Sequence, residues 1–76
     1  MKEKVKGWIT DRFKPDHELG DDEQLLESNI IDSFGTLELA EFLESEFGIK
    51  IPDQDLVTEN IGTINLIVAT IEKMKS

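Results

Sequence analysis

The stretch from Ser33 to Phe47, SFGTLELAEFLESEF, constrains this chain more than any other. Its apolar residues recur at a helical period. At about 100° per residue, Leu39, Leu43 and Phe47 fall within one arc, with Thr36 and Ala40 beside them and Phe42 on the flank. Gly48 follows in the position where glycine commonly ends a helix. A helix over 33–47 with one apolar stripe must lay that stripe against other elements, so the rest of the chain has to supply them.

Those elements read as helical too. Residues 2–13 place Val5, Trp8, Ile9 and Phe13 at helical spacing, and Pro15 stops the run. A last helix at about 63–74 carries Ile64, Ile67, Val68 and Ile71 on one stripe, with Thr63 as its N-cap. A short turn of helix is predicted within 55–61. IKIPD, residues 49–53, reads as extended, because Pro52 biases Ile51 away from the helical region. Residues 15–31, PDHELGDDEQLLESNII, form a long connection. Its Leu19, Leu25, Leu26, Ile30 and Ile31 can pin it onto a core, which predicts an ordered loop. There are no strand signals and no repeats. The expected fold is all-α, a small four-helix bundle of three longer helices and one short one, with a long ordered loop between the first two, in a single domain over 1–76. At 76 residues the chain is near the lower limit at which a hydrophobic core alone sustains a fold. It has no cysteine, which excludes disulfides and thiolate metal sites.

Charge narrows the partners. The net charge is −9, with 17 acidic residues against 8 lysines and arginines. Lys2, Lys4, Lys6, Arg12 and Lys14 lie early and Lys73 and Lys75 late; between Pro15 and Glu72 only Lys50 is basic. A surface so one-sidedly acidic repels phosphate backbones and anionic lipids, arguing against nucleic-acid and membrane binding. It attracts basic patches on proteins, although acid also serves solubility alone. No apolar run approaches the roughly 20 residues that cross a bilayer, and MKEKVKGW lacks the apolar core of a signal peptide. A soluble, cytoplasmic, monomeric domain is expected.

Within the central helix, Phe34 and Leu37 point away from the core arc, to the side that carries Glu38, Glu41, Glu44 and Ser45. An apolar pair ringed by one sign of charge reads as a docking surface, unless neighbouring loop residues cover it. Asp32 and Ser33 stand at the mouth of the same helix. Either can serve as an N-cap, and capping is the simpler role. Three features point further. The reciprocal Glu or Gln of a capping box is missing. Gly35 in the first turn costs up to roughly 1 kcal/mol relative to Ala, and offers close backbone approach by something bulky. A helix N-terminus, finally, favours an attached phosphate.

At this point D-S-F at 32–34 resembles the D-S-L signature of acyl carrier proteins. The similarity continues through T-L-E-L at 36–39, E-F-G-I at 46–49 and I-P-D at 51–53. The resemblance implies that a phosphopantetheinyl transferase moves 4′-phosphopantetheine from coenzyme A onto the hydroxyl of Ser33, with Asp32, Phe34 and Gly35 around the attachment point. It further implies that the thiol of the arm carries acyl or aminoacyl groups as thioesters, which suits a chain without cysteine. Partners would then be a loading ligase and downstream transferases or synthases, reading Phe34, Leu37, Glu38, Glu41 and Glu44. Glu38 and Glu41 are both expected to be exposed. Gly35, Glu41 and the apolar D-L-V-T-E-N-I at 55–61 look more like stand-alone carriers of amino acids or specialised acyl units, D-alanyl carriers and natural-product carriers among them, than carriers of fatty acid synthesis. A carrier of this kind is not an enzyme.

Other chemistry fits less well. A Ser33–His17–carboxylate hydrolase lacks the G-x-S-x-G elbow and room for an oxyanion hole. His17 reads as a solvated loop residue. The acids of GDDEQ at 20–24 do not match the spacing of a calcium loop. The competing reading from another class is an unmodified acidic module that docks basic proteins through the same helix.

Overall fold

Val5 and Ile9 lie one helical turn apart on the inner face of α1 (Lys2–Phe13), and both are fully buried in the structure, a computed structural model that describes residues 1–75. The helix stops at Lys14, which adopts a left-handed conformation (φ 47°) and donates its N–H to the Thr10 carbonyl at 2.9 Å. Pro15 follows and cannot continue the ladder. The central helix is α2 (Ser33–Phe47), closed by Gly48 at φ 66° with its N–H on the Glu44 carbonyl at 2.9 Å, the end predicted from the sequence. Ile49 and Ile51 then run inward, and a single 3-10 turn (Asp53–Asp55) leads to α3 (Thr58–Ile61) and α4 (Ile64–Lys75). The Thr63 hydroxyl caps α4 by accepting the Leu66 N–H at 3.1 Å.

Among the described residues the architecture is the expected all-helical bundle of three longer helices and one short one. The short turn of helix predicted within 55–61 is α3, and Leu56 and Val57, which leave the helical region (ψ 65° and 162°), separate it from the 3-10 turn at Asp53–Asp55.

The core is aliphatic. Ile64, Ile67 and Ile71 of α4 meet Leu39 and Leu43 of α2, Val5 and Ile9 of α1, and Ile61 of α3. Aromatic rings lie at its edge: Trp8 stacks on Phe42 at 4.6 Å, with Phe13 and Phe47 edge-on to that pair. Phe47, assigned to the core arc from its spacing, is therefore half-buried in this cluster.

The connection over residues 14–32 is ordered because it is bonded as well as packed. Leu19, Leu25 and Ile31 are buried, whereas Leu26 and Ile30 are half-buried. The Leu25 N–H donates to the Gly62 carbonyl at 2.7 Å, and the Asn65 N–H to the Asp21 carbonyl at 3.0 Å. Lys2 and Lys6 of α1 hold the Asp21 carboxylate at 3.1 and 3.0 Å. The Ile31 N–H closes the loop on the Leu25 carbonyl at 3.1 Å. A buried Ile31 thus delivers Asp32 and Ser33 to a fixed place at the start of α2.

Candidate functional site

Asp32 and Ser33 divide the work at this helix start. Asp32 is the N-cap in extended conformation, and its Oδ1 accepts the Gly35 N–H at 2.6 Å. Its carbonyl accepts both the Thr36 N–H and the Thr36 hydroxyl at 2.9 Å. Ser33 is the first helical residue, exposed, and its hydroxyl has no partner among the described residues. One residue caps and the other keeps a free oxygen at the positive end of a helix.

Gly35 plays a different part from the one expected. It is buried, and a Cβ there would lie 2.5 and 2.8 Å from two ring carbons of Phe13. The bulky group whose approach Gly35 permits is the Phe13 ring of α1, which sits over the first turn of α2. The glycine joins two helices; the space it leaves is already filled.

Phe34 and Leu37 face outward, 70% and 51% exposed, and no loop covers them. Together with Ala40, Ile51 and Leu56 they floor an open groove of about 390 Å³, edged by Glu38, Glu41, Glu44 and Asp53. The three glutamates differ. Glu41 is exposed and has no partner among the described residues. Glu38, expected to be exposed, has a side chain only 29% accessible, because Arg12 Nη2 donates to both its carboxylate oxygens at 2.7 and 2.6 Å. Glu44 Oε2 accepts the Ile51 N–H at 2.9 Å, tying the extended segment back to α2. Ile51, Asp53 and Leu56 were not singled out as groove residues from the sequence, although the first two lie in I-P-D and Leu56 in the apolar stretch 55–61. A second hollow, about 360 Å³, adjoins Ser33 and is lined by Leu26, Asn29, Ile31, Asp32 and Thr36, so there is room beside the hydroxyl for an attached group.

His17 lies in the loop away from this arrangement: Nδ1 meets Asp16 at 2.8 Å and Nε2 meets Glu23. The hydrogen bond to Asp16, then that to Glu23, raises its pKa above the usual histidine value. Asp21 shifts the opposite way, since Lys6 and then Lys2 hold its carboxylate and lower its pKa.

The site thus combines a free hydroxyl at a capped helix start, a hollow beside it and an acid-rimmed apolar groove open to solvent. Residues 3–71 match the family described as the phosphopantetheine attachment site. The chain belongs to this acyl carrier family: it is a carrier protein that holds acyl or aminoacyl groups as thioesters on a covalently attached 4′-phosphopantetheine arm, and not the unmodified docking module. Among curated relatives it is similar to a "D-alanyl carrier protein" of Streptococcus suis (strain 98HAH33), 34% identical over 74 residues, covering 97% of this chain and 94% of that protein. Proteins of the same description from Streptococcus equi subsp. zooepidemicus (strain MGCS10565) and Streptococcus pyogenes serotype M5 (strain Manfredo) are 39% and 37% identical over 54 residues, 71% of this chain and 68% of theirs. Carriers of this family are in general not catalytic, and they work with a ligase and transferases. No helix of the described residues is long and apolar enough to cross a membrane.

Proposed function

We propose that Ser33 is the attachment residue and that the cargo is a short aminoacyl group, D-alanine first among the candidates. The observation that carries the assignment is the division of labour at α2: Asp32 supplies the cap, so Ser33 can be modified without disturbing the helix start. In the loading step the Ser33 Oγ attacks the phosphorus that bears pantetheine in coenzyme A. The new O–P bond forms as the pyrophosphate bridge breaks. Adenosine 3′,5′-bisphosphate leaves, and the hydroxyl proton passes to the transferase. The positive end of α2 favours the resulting phosphodiester, and the hollow lined by Leu26, Ile31 and Thr36 gives the arm its first contacts.

The cargo assignment is supported by the D-alanyl carriers among the relatives, the one from Streptococcus suis overlapping 97% of this chain. Phe34, Leu37 and Glu41 form the docking face for the phosphopantetheinyl transferase, an aminoacyl-loading ligase and a downstream transferase, with Glu38 and Glu44 at its edges. The domain acts as a single cytoplasmic carrier without catalytic groups of its own, and the enzymes that dock on it supply the chemistry.

The test is the intact mass after incubation with coenzyme A, magnesium and a broad-specificity phosphopantetheinyl transferase, beside Ser33→Ala. Gain of one phosphopantetheinyl group by the wild type alone is the expected result. Equal gain by Ser33→Ala moves the site elsewhere, and no gain while a control carrier is modified overturns the reading. Offering the modified protein D-alanine, ATP and a D-alanyl carrier ligase, beside glycine and L-alanine, then tests the cargo.

A further inference from the structure

Arg12 reaches from α1 onto the acidic side of α2, and we infer that it masks Glu38 from basic protein partners, so that docking is read chiefly through Glu41, Glu44 and Asp53. This builds on the proposed docking face. The guanidinium places one nitrogen on both oxygens of Glu38 at 2.7 and 2.6 Å. Its central carbon, Cζ, lies over the Phe13 ring, 5.6 Å from the centroid, and that ring is seated on Gly35. Arg12 is therefore held by a packed element, with a defined place at the rim of the groove.

The consequence is electrostatic. A partner lysine or arginine approaching Glu38 meets Arg12, a like charge, before it gains the carboxylate. Seen from a distance, the Arg12–Glu38 pair carries no net charge. The attractive field over the groove then comes from its other carboxylates: Glu41 is unpaired, Asp53 is exposed, and Glu44 keeps its charge because its bond is to the neutral Ile51 N–H. Phe34 and Leu37 lie at the neutralised end. The complementary partner carries an apolar group opposite Phe34 and Leu37, and cations displaced toward the 3-10 turn. Surface pairs of this kind contribute little to folding, so the mask can be removed without unfolding the domain. Its removal adds one unit of negative charge where a basic partner lands, which raises the encounter rate at low salt.

The experiment compares kcat/KM for phosphopantetheinylation of wild type, Arg12→Gln and Arg12→Gln/Glu38→Gln. It is run at low salt and again at an ionic strength where the screening length is only a few ångström, with helicity checked by circular dichroism. Arg12→Gln should be faster by about twofold to fivefold at low salt, with the gain gone at high salt. The double variant, neutral at the pair like the wild type, should return to the wild-type rate. An unchanged or slower Arg12→Gln, a double variant slower than wild type, or a wild-type rate indifferent to salt overturns the mask. No modification of any variant by a transferase active on a control carrier would instead sink the carrier reading, and the mask with it.

Discussion

Ile64, Ile67 and Ile71 on α4 are fully buried, whereas Phe34 and Leu37 on α2 are 70% and 51% exposed. Both sets are apolar residues on helices, yet one faces α1, α2 and the long loop, and the other faces solvent across a ring of carboxylates. The burial of an isoleucine removes apolar surface from water and stabilises the fold. An exposed phenylalanine contributes almost nothing until another protein covers it. With so few residues to commit to a core, two large side chains left outside are apolar surface that the fold does not use, and the proposed docking face rests on that contrast.

The largest effect should come from attacking the buried set. Ile67→Ala should cost about 2–5 kcal/mol in urea denaturation, enough to unfold much of so small a domain. Phe34→Ala should change stability by less than about 0.5 kcal/mol, while lowering kcat/KM for phosphopantetheinylation. If Phe34→Ala also destabilises by several kcal/mol, the side chain belongs to the fold and the contrast fails.

Gly35 lies between the two regions and comes next in size. Alanine is the better helix former, but its Cβ would sit 2.5 Å from the Phe13 ring. The ring must move, taking its contact with Trp8 with it. Gly35→Ala should therefore lose about 1–2 kcal/mol net of its helix-propensity gain. In a Phe13→Ala background most of that loss should be recovered, because the ring is gone and only Asp32 Oδ1, 3.1 Å from the added carbon, still crowds it. A cycle without that recovery would assign the glycine another role.

Much of this was legible in the sequence. The period of 33–47, Pro15, Gly48 and Thr63 placed the three longer helices to within a residue or so at each end, since those signals act on the local backbone. The outward pair Phe34 and Leu37 followed from the same period. What could not be read are contacts between separate elements: Phe13 on Gly35, Arg12 on Glu38, and the Ile51 N–H on Glu44. Each depends on how α1 and the 49–53 segment come to rest against α2, and no helical period encodes that. For this reason the glutamates looked alike in the sequence and are unlike in the structure.

The neighbours Asp32 and Ser33 sharpen the comparison on a smaller scale. Removing the cap with Asp32→Ala should cost about 1 kcal/mol. Ser33→Ala, at an exposed first-turn position with an unbonded hydroxyl, should stay within about 0.5 kcal/mol while abolishing attachment. Urea titrations of both variants beside intact-mass analysis separate the two roles. A Ser33→Ala loss as large as that of Asp32→Ala would mean that the serine caps as well.

The smallest expected effects lie in the long loop, where the ion pairs of Asp21 and those of His17 respond to pH in opposite senses. Lys6 and Lys2 lower the pKa of Asp21 below its ordinary 3.8, so the contribution of this carboxylate is complete above that value and is lost as pH falls through the lowered one. Asp21→Asn should be less stable than wild type near neutrality, and the gap should close in acid. His17 is the reverse case. Asp16 and Glu23 raise its pKa above 6.5, so its contribution is complete below 6.5 and disappears as pH rises through the raised value. The difference in melting temperature between wild type and His17→Gln should thus shrink on moving from mildly acidic to mildly alkaline buffer, whereas that for Asp21→Asn should hold constant over the same range. The Asp21 pairs fasten the loop to α1, but the His17 pairs brace the loop only against itself, and with the side chain 48% exposed the His17 gap should be the smaller of the two even where it is complete. A His17 gap that widened with pH would show that the neutral ring, not the imidazolium, is the form the loop holds.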